Sequence, residues 1–206
     1  VFPTDTGADT ITYPDGGTTP FKGGKLSTWE GGMRAPMVIR WPGHIKPGTV
    51  KNEIFASLDW LPTFVDIAGG PSGDGLKKQI EAGGYPGIVK TTLDGVNQRD
   101  FLEGKSERSA RDYIFYYSGK DPSAVRYRNW KMYFAMVSDA PEGFARGVVP
   151  YHWAQVVNIK RDPFETSIGQ QTKTLMGQGG AIAGPVTAYL YDWNMLPLGQ
   201  ALWLRE

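Results

Sequence analysis

A glycine-rich segment with one isolated lysine is the part of this sequence best suited to chemistry on an anion. Lys25 directly follows Gly23 and Gly24. Glycine lets a backbone approach a ligand closely, and lysine supplies a mobile point charge. The segment is not a nucleotide-binding P-loop, because Thr19 and Leu26 stand where that pattern requires Gly and Ser or Thr. Lys25 is a candidate catalytic residue, although Gly-Gly-Lys alone is more often a solvated turn.

Other catalytic chemistries have few residues to work with. The sequence has no cysteine, which excludes a disulfide, a zinc–thiolate site and a cysteine nucleophile within it. His44 and His152 are the only histidines, and neither has a Ser or Asp at motif spacing. Both are interpreted as surface or structural residues, so a complete Ser-His-Asp site is not expected.

Composition narrows the class of protein and of partner. The 206 residues are 40% hydrophobic and 21% charged, which is typical of a soluble globular protein. The net charge is +1, and Lys and Arg form no long run, so no nucleic-acid partner is expected. No run of 18 apolar residues occurs, so no membrane span and no membrane partner are expected.

The first third of the chain predicts strands around a long loop. Residues 1–5 are typical of the end of a strand. Residues 6–32 are rich in glycine, and ordered loops of this length are usually functional. Residues 36–42 form a short β-branched run closed by Pro and Gly, which predicts a buried strand.

The next segment predicts helices. Apolar residues recur at helical spacing over residues 59–68, with Asp59 as the N-cap and Gly69 as the C-terminal stop. Residues 70–90 are predicted to be loop, and residues 100–105 predict one helical turn.

The later part predicts an antiparallel sheet. Residues 113–117 and 155–159 are predicted strands. Residues 124–128 and 130–135 alternate around Asn129, as the two strands of a hairpin do. Sequential strands joined by tight turns are typical of antiparallel sheets.

Residues 19–25 and 29–36 together form a long and unusual pattern in the glycine-rich segment. This pattern resembles a signature of the formylglycine-dependent sulfatase (arylsulfatase) family, in the alkaline-phosphatase-like superfamily. Further stretches resemble the family in the same order along the chain: residues 1–8, 39–43, 58–63, 124–131 and 158–165.

The resemblance implies an α/β fold in which this chain is a C-terminal portion. Residues 1–105 would be the C-terminal part of an alkaline-phosphatase-like α/β catalytic domain. Residues 106–206 would be a small α+β subdomain with an antiparallel sheet, and a composition shift at 106–111 marks the boundary.

The same resemblance implies a nucleophile outside this chain. The family uses a formylglycine made from a Cys/Ser-x-Pro/Ala-x-Arg motif, which this sequence lacks. The chain begins at Val1 without a leader, so we interpret its start as a cut. The missing N-terminal part of the same enzyme is therefore an expected partner, and the chain alone is expected to be inactive.

The family's site residues carry over to a few positions. Lys25 matches the lysine that contacts the sulfate group and its bridging oxygen. Asp5 matches the carboxylate of an Asp-Asn pair that binds Ca²⁺, a cation that prefers oxygen ligands. Thr6 stands where the family has Asn, which weakens the expectation of calcium.

Neighbouring residues are interpreted as structural. Glu30 and Arg34, four residues apart, predict an ion pair or hydrogen bonds that hold the loop. Trp29 predicts a packing anchor. Asp162 and Glu165 are predicted to fix a turn in the C-terminal sheet.

Several functional hypotheses stay open on the sequence alone. The first is a sulfatase portion acting on an aryl or carbohydrate (glycan) sulfate ester. The second is a phosphate- or phosphonate-ester hydrolase of the same superfamily, since both esters present a tetrahedral anion. The third is a non-catalytic sulfatase-like fragment. Family resemblance implies a periplasmic or secreted location, and the oligomeric state is not predicted.

Overall fold

The computed structural model describes residues 1–9, 11–12, 15, 17–87, 91–137 and 147–168, apart from the side chains of residues 152 and 153. Helices and strands alternate irregularly along this part of the chain. In chain order they are β1 (Phe2–Pro3), α1 (Glu30–Met33), β2 (Met37–Val38), α2 (Trp60–Ile67), α3 (Gly75–Glu81), α4 (Arg99–Glu103), β3 (Tyr113–Ser118), β4 (Asp121–Tyr127), β5 (Trp130–Val137) and β6 (Val148–Asn158).

The chain divides into two compact units. One contains Val1–Ile39 together with the described residues from Phe115 onward, and the other contains Arg40–Ile114. The expected division into a catalytic-domain part, 1–105, and a subdomain, 106–206, concerns the whole enzyme and stays a prediction.

The first strand pair is short and exposed. The predicted strand end at residues 1–5 is confirmed as β1, which pairs antiparallel with β2. The prediction of a buried strand at 36–42 is wrong in extent and burial, because only Met37–Val38 is a strand and Val38 is 67% exposed. Within the described chain β2 pairs with β1 alone, so an apolar run suited to a central strand lies on a two-stranded sheet.

The helix predicted over 59–68 is confirmed as α2. Pro62 occupies its third position, where a missing N–H costs nothing. Asp59 precedes the helix, but its carboxylate makes no helix-capping bond there. The apolar positions Leu58 and Leu61 are exposed, whereas Asp59 and Thr63 are fully buried. The buried residues at the start of α2 thus include the polar Asp59 and Thr63 beside Pro62, which the apolar spacing did not predict.

A buried ion pair anchors the start of α2 within the unit Arg40–Ile114. Arg111 donates to both carboxylate oxygens of Asp59, with Nε–Oδ2 and Nη2–Oδ1 distances of 3.0 and 2.5 Å. The side-chain amide of Gln98 donates to the same carboxylate at 3.2 Å. Backbone N–H groups of Ala56 and Val96 complete the set at 3.0 and 2.9 Å. The carboxylate thus ties three separate segments together.

Two shorter helices follow α2 in the chain. α3 lies within residues 70–90, so the loop prediction is wrong there. The side chain of Leu76 in α3 is buried. α4 confirms the helical turn predicted at 100–105. It ends at Glu103, and the following Gly104 has a φ of 79°, a left-handed conformation that glycine adopts without strain.

The predicted antiparallel sheet is confirmed. Its strand order is β3-β4-β5-β6, and both β4–β5 and β5–β6 are antiparallel. Tyr127 pairs with Trp130 across a two-residue turn, which confirms the hairpin around Asn129. The fourth strand, β6, extends the predicted run 155–159 toward its N-terminus and ends at Asn158.

β5 is buried on both faces. One face carries Met132, which packs with Val125 and Val156 in an apolar cluster. The other carries Lys131 and Tyr133, which are two residues apart and therefore point the same way. Both side chains on that second face are fully buried and meet residues of the N-terminal loop.

No described helix has the length and hydropathy that crossing a membrane would require.

Candidate active-site loop

Close backbone packing holds the glycine-rich loop beside the end of β1. The N–H of Gly7 donates to the carbonyl of Gly32 at 2.9 Å. A Cβ on Gly7 would lie 1.8 Å from the carbonyl oxygen of Gly31, and a Cβ on Gly31 would lie 2.2 Å from the carbonyl oxygen of Gly23. Three backbone segments therefore stack with no room for side chains between them. This packing is the physical reason for the glycine spacing in the signature.

The segment that contains Lys25, residues 22–29, is here called the Lys25 loop. The N–H of Lys25 donates to the carbonyl of Ala8 at 2.8 Å. The hydroxyl of Ser27 donates to the carbonyl of Gly24 at 2.7 Å and closes a turn around Lys25. Leu26 has a φ of 80° in this turn, a left-handed conformation that costs a non-glycine residue about 1–2 kcal/mol.

The amino groups of the two loop lysines have different surroundings. Lys22 Nζ donates to the carbonyls of Glu165 and Ile168 at 3.2 and 2.5 Å and lies over the ring of Trp29. Burial lowers the pKa of Lys22, against the opposing charges of Glu165 and Asp162. Lys25 is half-buried, and among the described residues no hydrogen bond or ion pair occupies its amino group. Within the described part of the chain, Lys25 is thus the loop lysine whose amino group is not held by another residue.

The two residues predicted to bind a metal lie next to the close contact at Gly7. Asp5 is exposed at the end of β1, and the hydroxyl of Thr6 donates to the carbonyl of Gly7 at 3.1 Å. Within the described chain no group of three or more His, Cys, Asp or Glu side chains could hold a metal ion. The structure brings the segment 5–8 against the Lys25 loop, because Gly7 bonds to Gly32 and Lys25 bonds to Ala8.

Glu30 directly follows the Lys25 loop and forms buried ion pairs. Its side chain is 1% exposed, and its carboxylate oxygens lie 3.0 Å from Lys131 Nζ and 3.1 Å from Arg126 Nη1. The expected Glu30–Arg34 interaction takes a different form. Arg34 donates its backbone N–H to the Glu30 carbonyl at 2.8 Å and places its guanidinium over the ring of Phe21.

These charges alter the titration of the buried groups. Burial alone would raise the pKa of Glu30, but the neighbouring Lys131 and Arg126 outweigh it and lower that pKa below its usual value. Burial, with the nearby Glu30 carboxylate, raises the pKa of the Tyr116 hydroxyl. Burial and Glu165 raise the pKa of Tyr133 as well. Glu30 is therefore ionised, while the nearby Tyr116 and Tyr133 are neutral.

Glu165, near the end of the described chain, also pairs with these buried groups. Its carboxylate accepts the N–H of Glu30 at 2.8 Å and a hydrogen bond from the Tyr133 hydroxyl, and it lies 3.2 Å from Lys131 Nζ. Asp162 accepts N–H and hydroxyl bonds from Thr166 and Ser167, which confirms its expected role in fixing a turn. Glu165 was expected to fix the same turn, but its carboxylate also contacts Glu30, Tyr133 and Lys131.

The expected anchor Trp29 and the histidines also have defined places. Trp29 is buried and packs against Tyr133, with 4.9 Å between ring centroids, so its packing role is confirmed. His44 stacks on Trp41, and its Nδ1 lies 3.1 Å from a Glu103 carboxylate oxygen. His152 belongs to β6, and its side chain lies outside the described part.

Comparison with known proteins agrees with this geometry. Residues 24–80 match the family described as N-sulphoglucosamine sulphohydrolase, C-terminal. The chain is 34% identical over 139 residues to human arylsulfatase A, a match covering 65% of this chain and 24% of that protein. It is 32% identical over 129 residues to human steryl-sulfatase, covering 60% of this chain and 20% of that protein.

The chain matches the C-terminal part of the sulfatase family. Its fold is similar to that of the PsFucS1 sulfatase from Pseudoalteromonas sp., with a TM-score of 0.66 and 25% identity. That match covers 95% of this chain and 36% of the PsFucS1 chain. The α/β, alkaline-phosphatase-like expectation is therefore confirmed, and the matching region is the C-terminal part of sulfatases. The chain spans about a fifth to a quarter of the length of the curated relatives named above.

Proposed function

We propose that this chain is the part of a sulfate-ester hydrolase that supplies Lys25 as the contact to the sulfate group. The observation that carries the proposal is the position of Lys25. It lies on a loop whose flanking residues are hydrogen-bonded to buried groups, while its amino group has no partner among the described residues. A fixed backbone with an available ammonium suits stabilisation of charge on a leaving alkoxide.

Asp5 and Thr6 are the proposed contribution of the chain to a calcium site. A carboxylate and a hydroxyl are oxygen ligands of the kind Ca²⁺ prefers, but Ca²⁺ takes about six to eight such ligands. The described residues near Asp5 therefore form an incomplete set, and other ligands would have to come from elsewhere in the enzyme. When bound, the cation would polarise the sulfate oxygens.

The proposed nucleophile also lies outside this chain. The sequence contains no cysteine and no Ser-x-Pro/Ala-x-Arg motif, so it offers no precursor of a formylglycine. We therefore expect the isolated chain to show no sulfatase turnover. Aryl and carbohydrate sulfates are the proposed substrate classes, and export to the periplasm or outside the cell is the proposed location.

The test compares a longer sulfatase that contains this chain with the chain itself. Both are assayed on nitrophenyl sulfate, nitrophenyl phosphate and a phenylphosphonate ester. The proposal expects hydrolysis of the sulfate by the longer protein at least about a hundredfold above the phosphorus esters, and no turnover by the chain. Preference for a phosphorus ester would instead support the alternative hydrolase of this superfamily. Turnover by the isolated chain would contradict the expected inactivity.

A further inference from the structure

A buried cluster of charged residues is hydrogen-bonded to the Lys25 loop on both sides of Lys25. We call Glu30, Arg126, Lys131 and Glu165 the Glu30 cluster. Lys131 Nζ donates to the carbonyl of Thr28 at 2.7 Å and to Glu30 Oε1 at 3.0 Å. On the other side of Lys25, Lys22 donates to the Glu165 carbonyl. The N–H of Gly31 also donates to the Lys22 carbonyl at 2.8 Å, which joins the two ends of the loop.

The Glu30 carboxylate lies between two like charges of the sheet and offsets their repulsion. Arg126 and Lys131 are direct cross-strand partners of β4 and β5. Like charges that face each other across a strand pair are destabilising. The Glu30 carboxylate accepts a bond from each of them, one per oxygen. The two cations thus fix both the position and the rotation of the Glu30 carboxylate.

Stability alone does not account for such a cluster. A buried ion pair is often no more stable than apolar side chains of similar volume, because desolvation offsets the attraction. What hydrogen-bonded charges add is a defined geometry. The Lys25 loop includes a left-handed Leu26, and such conformations persist only where the surroundings determine them.

We infer that Glu30 is a positioning residue for Lys25, acting through Lys131 and Arg126 to fix the loop from which the Lys25 ammonium reaches the substrate. This inference rests on the proposed function of Lys25. Glu30 itself does not touch the substrate, since its carboxylate is buried against the sheet. A shift of the loop would displace the ammonium from the leaving oxygen and lower turnover without removing any catalytic group.

The experiment uses Glu30→Gln, Lys25→Met and the double variant in a longer sulfatase that contains this chain. Turnover is measured on an activated aryl sulfate and on an alkyl sulfate, whose alkoxide is a poorer leaving group. Misplaced groups can cost about a hundredfold in rate, so we expect Glu30→Gln to lower kcat about tenfold to a hundredfold. We expect the loss to be larger on the alkyl sulfate, with KM changed by less than about threefold.

Coupling decides between positioning and general stability. If Glu30 acts through Lys25, adding Glu30→Gln to Lys25→Met lowers kcat no further. Fully additive losses, or a Glu30→Gln protein that melts earlier with normal kcat, would overturn the inference. Arg126→Gln removes one of the two cations at a more accessible position, and the same non-additive pattern is expected if Glu30→Gln does not fold.

The two proposals fail in different ways. If Lys25→Met retains normal turnover, the proposed role of Lys25 is wrong, and the positioning role is wrong with it. If Lys25→Met is impaired while Glu30→Gln and Arg126→Gln both keep normal kcat and leaving-group dependence, only the positioning inference is wrong. Hydrogen exchange at the Ser27 and Gly31 amides gives a direct readout, and we expect faster exchange in Glu30→Gln than in wild type.

Discussion

Glu30 and Lys131 form a buried ion pair, with 3.0 Å between Oε1 and Nζ, although 101 residues separate them in the sequence. The pair joins the residue that follows the Lys25 loop to the centre of the antiparallel sheet. Long-range pairs of this kind connect the geometry of the candidate site to the stability of the fold, and each can be tested separately.

Acid unfolding tests the charge state of Glu30. Because its folded pKa is lowered, Glu30 contributes stability that is present above its unfolded pKa of about 4.3 and is lost as pH falls through the folded pKa. We expect Glu30→Gln to be about 3 kcal/mol less stable at pH 7, with the difference shrinking below about pH 4.5.

The measurement is the urea midpoint of the folded chain between pH 7 and pH 3. Asp100→Asn is the control, because Asp100 is exposed and its ion pair with Lys105 is long, at 3.9 Å. That variant should differ from wild type by no more than about 1 kcal/mol. A Glu30→Gln deficit that stays constant over the whole pH range would contradict the lowered pKa.

Arg111 tests the buried pair at the start of α2. Replacing Arg111 with Met leaves Asp59 buried without its cation, and we expect a loss of about 3–5 kcal/mol in the free energy of unfolding. Arg108→Met removes an exposed arginine from the same segment and should change stability by about 0.5 kcal/mol or less. Equal urea midpoints for the two variants would show that the Asp59 pair is not structural.

Gly7 tests the backbone stacking behind the Lys25 loop. A methyl group there would lie 1.8 Å from the Gly31 carbonyl oxygen, so Gly7→Ala must separate two backbones. We expect a loss of about 3 kcal/mol, at the upper end of overpacking costs. Gly75→Ala, at the first residue of α3, should change stability by about 1 kcal/mol or less. The measurement is the melting temperature of both variants. A Gly7→Ala protein with the melting temperature of wild type would rule out the close contact.

Thr6 tests the proposed calcium site. Thr6→Asn adds an amide oxygen beside Asp5, and we expect calcium affinity in the longer sulfatase to rise about tenfold as the ligand set improves. Asp5→Asn should weaken binding. Asp9→Asn is the control. Asp9 is a nearby carboxylate that is not a proposed calcium ligand, and it accepts a hydrogen bond from the backbone N–H of Ile11. Calorimetric titration measures all four proteins, and equal affinity for wild type and Thr6→Asn would mean that Thr6 is not a limitation.

The sequence predicts the sheet of this protein better than its helices. Alternation around Asn129 locates the β4–β5 hairpin, because strand periodicity is local. α3 escapes prediction since it has few apolar residues to mark a helical face. The burial of Asp59 and Thr63 at the start of α2 also escapes prediction, because both residues are polar and are buried through hydrogen bonds.

In the candidate site too, some residues can be predicted from the local sequence and others cannot. Lys25 stands out through its glycine neighbours, and the position of Trp29 as an anchor follows from its size. Lys131 could not be identified in this way, because a lysine in a strand usually points to solvent. Its burial depends on Glu30 and Glu165, which reach it from distant segments. Only a signal for contacts distant in sequence could have paired them.

The most direct test of the proposed function replaces Lys25 with Met in a longer sulfatase that contains this chain, with Lys160→Met as an exposed control. Turnover of nitrophenyl sulfate and the melting temperature are measured for both. The available ammonium of Lys25 predicts a fall in kcat of about a hundredfold to a thousandfold, with a melting temperature close to wild type. A Lys25→Met protein that melts early but turns over normally would show that Lys25 is structural.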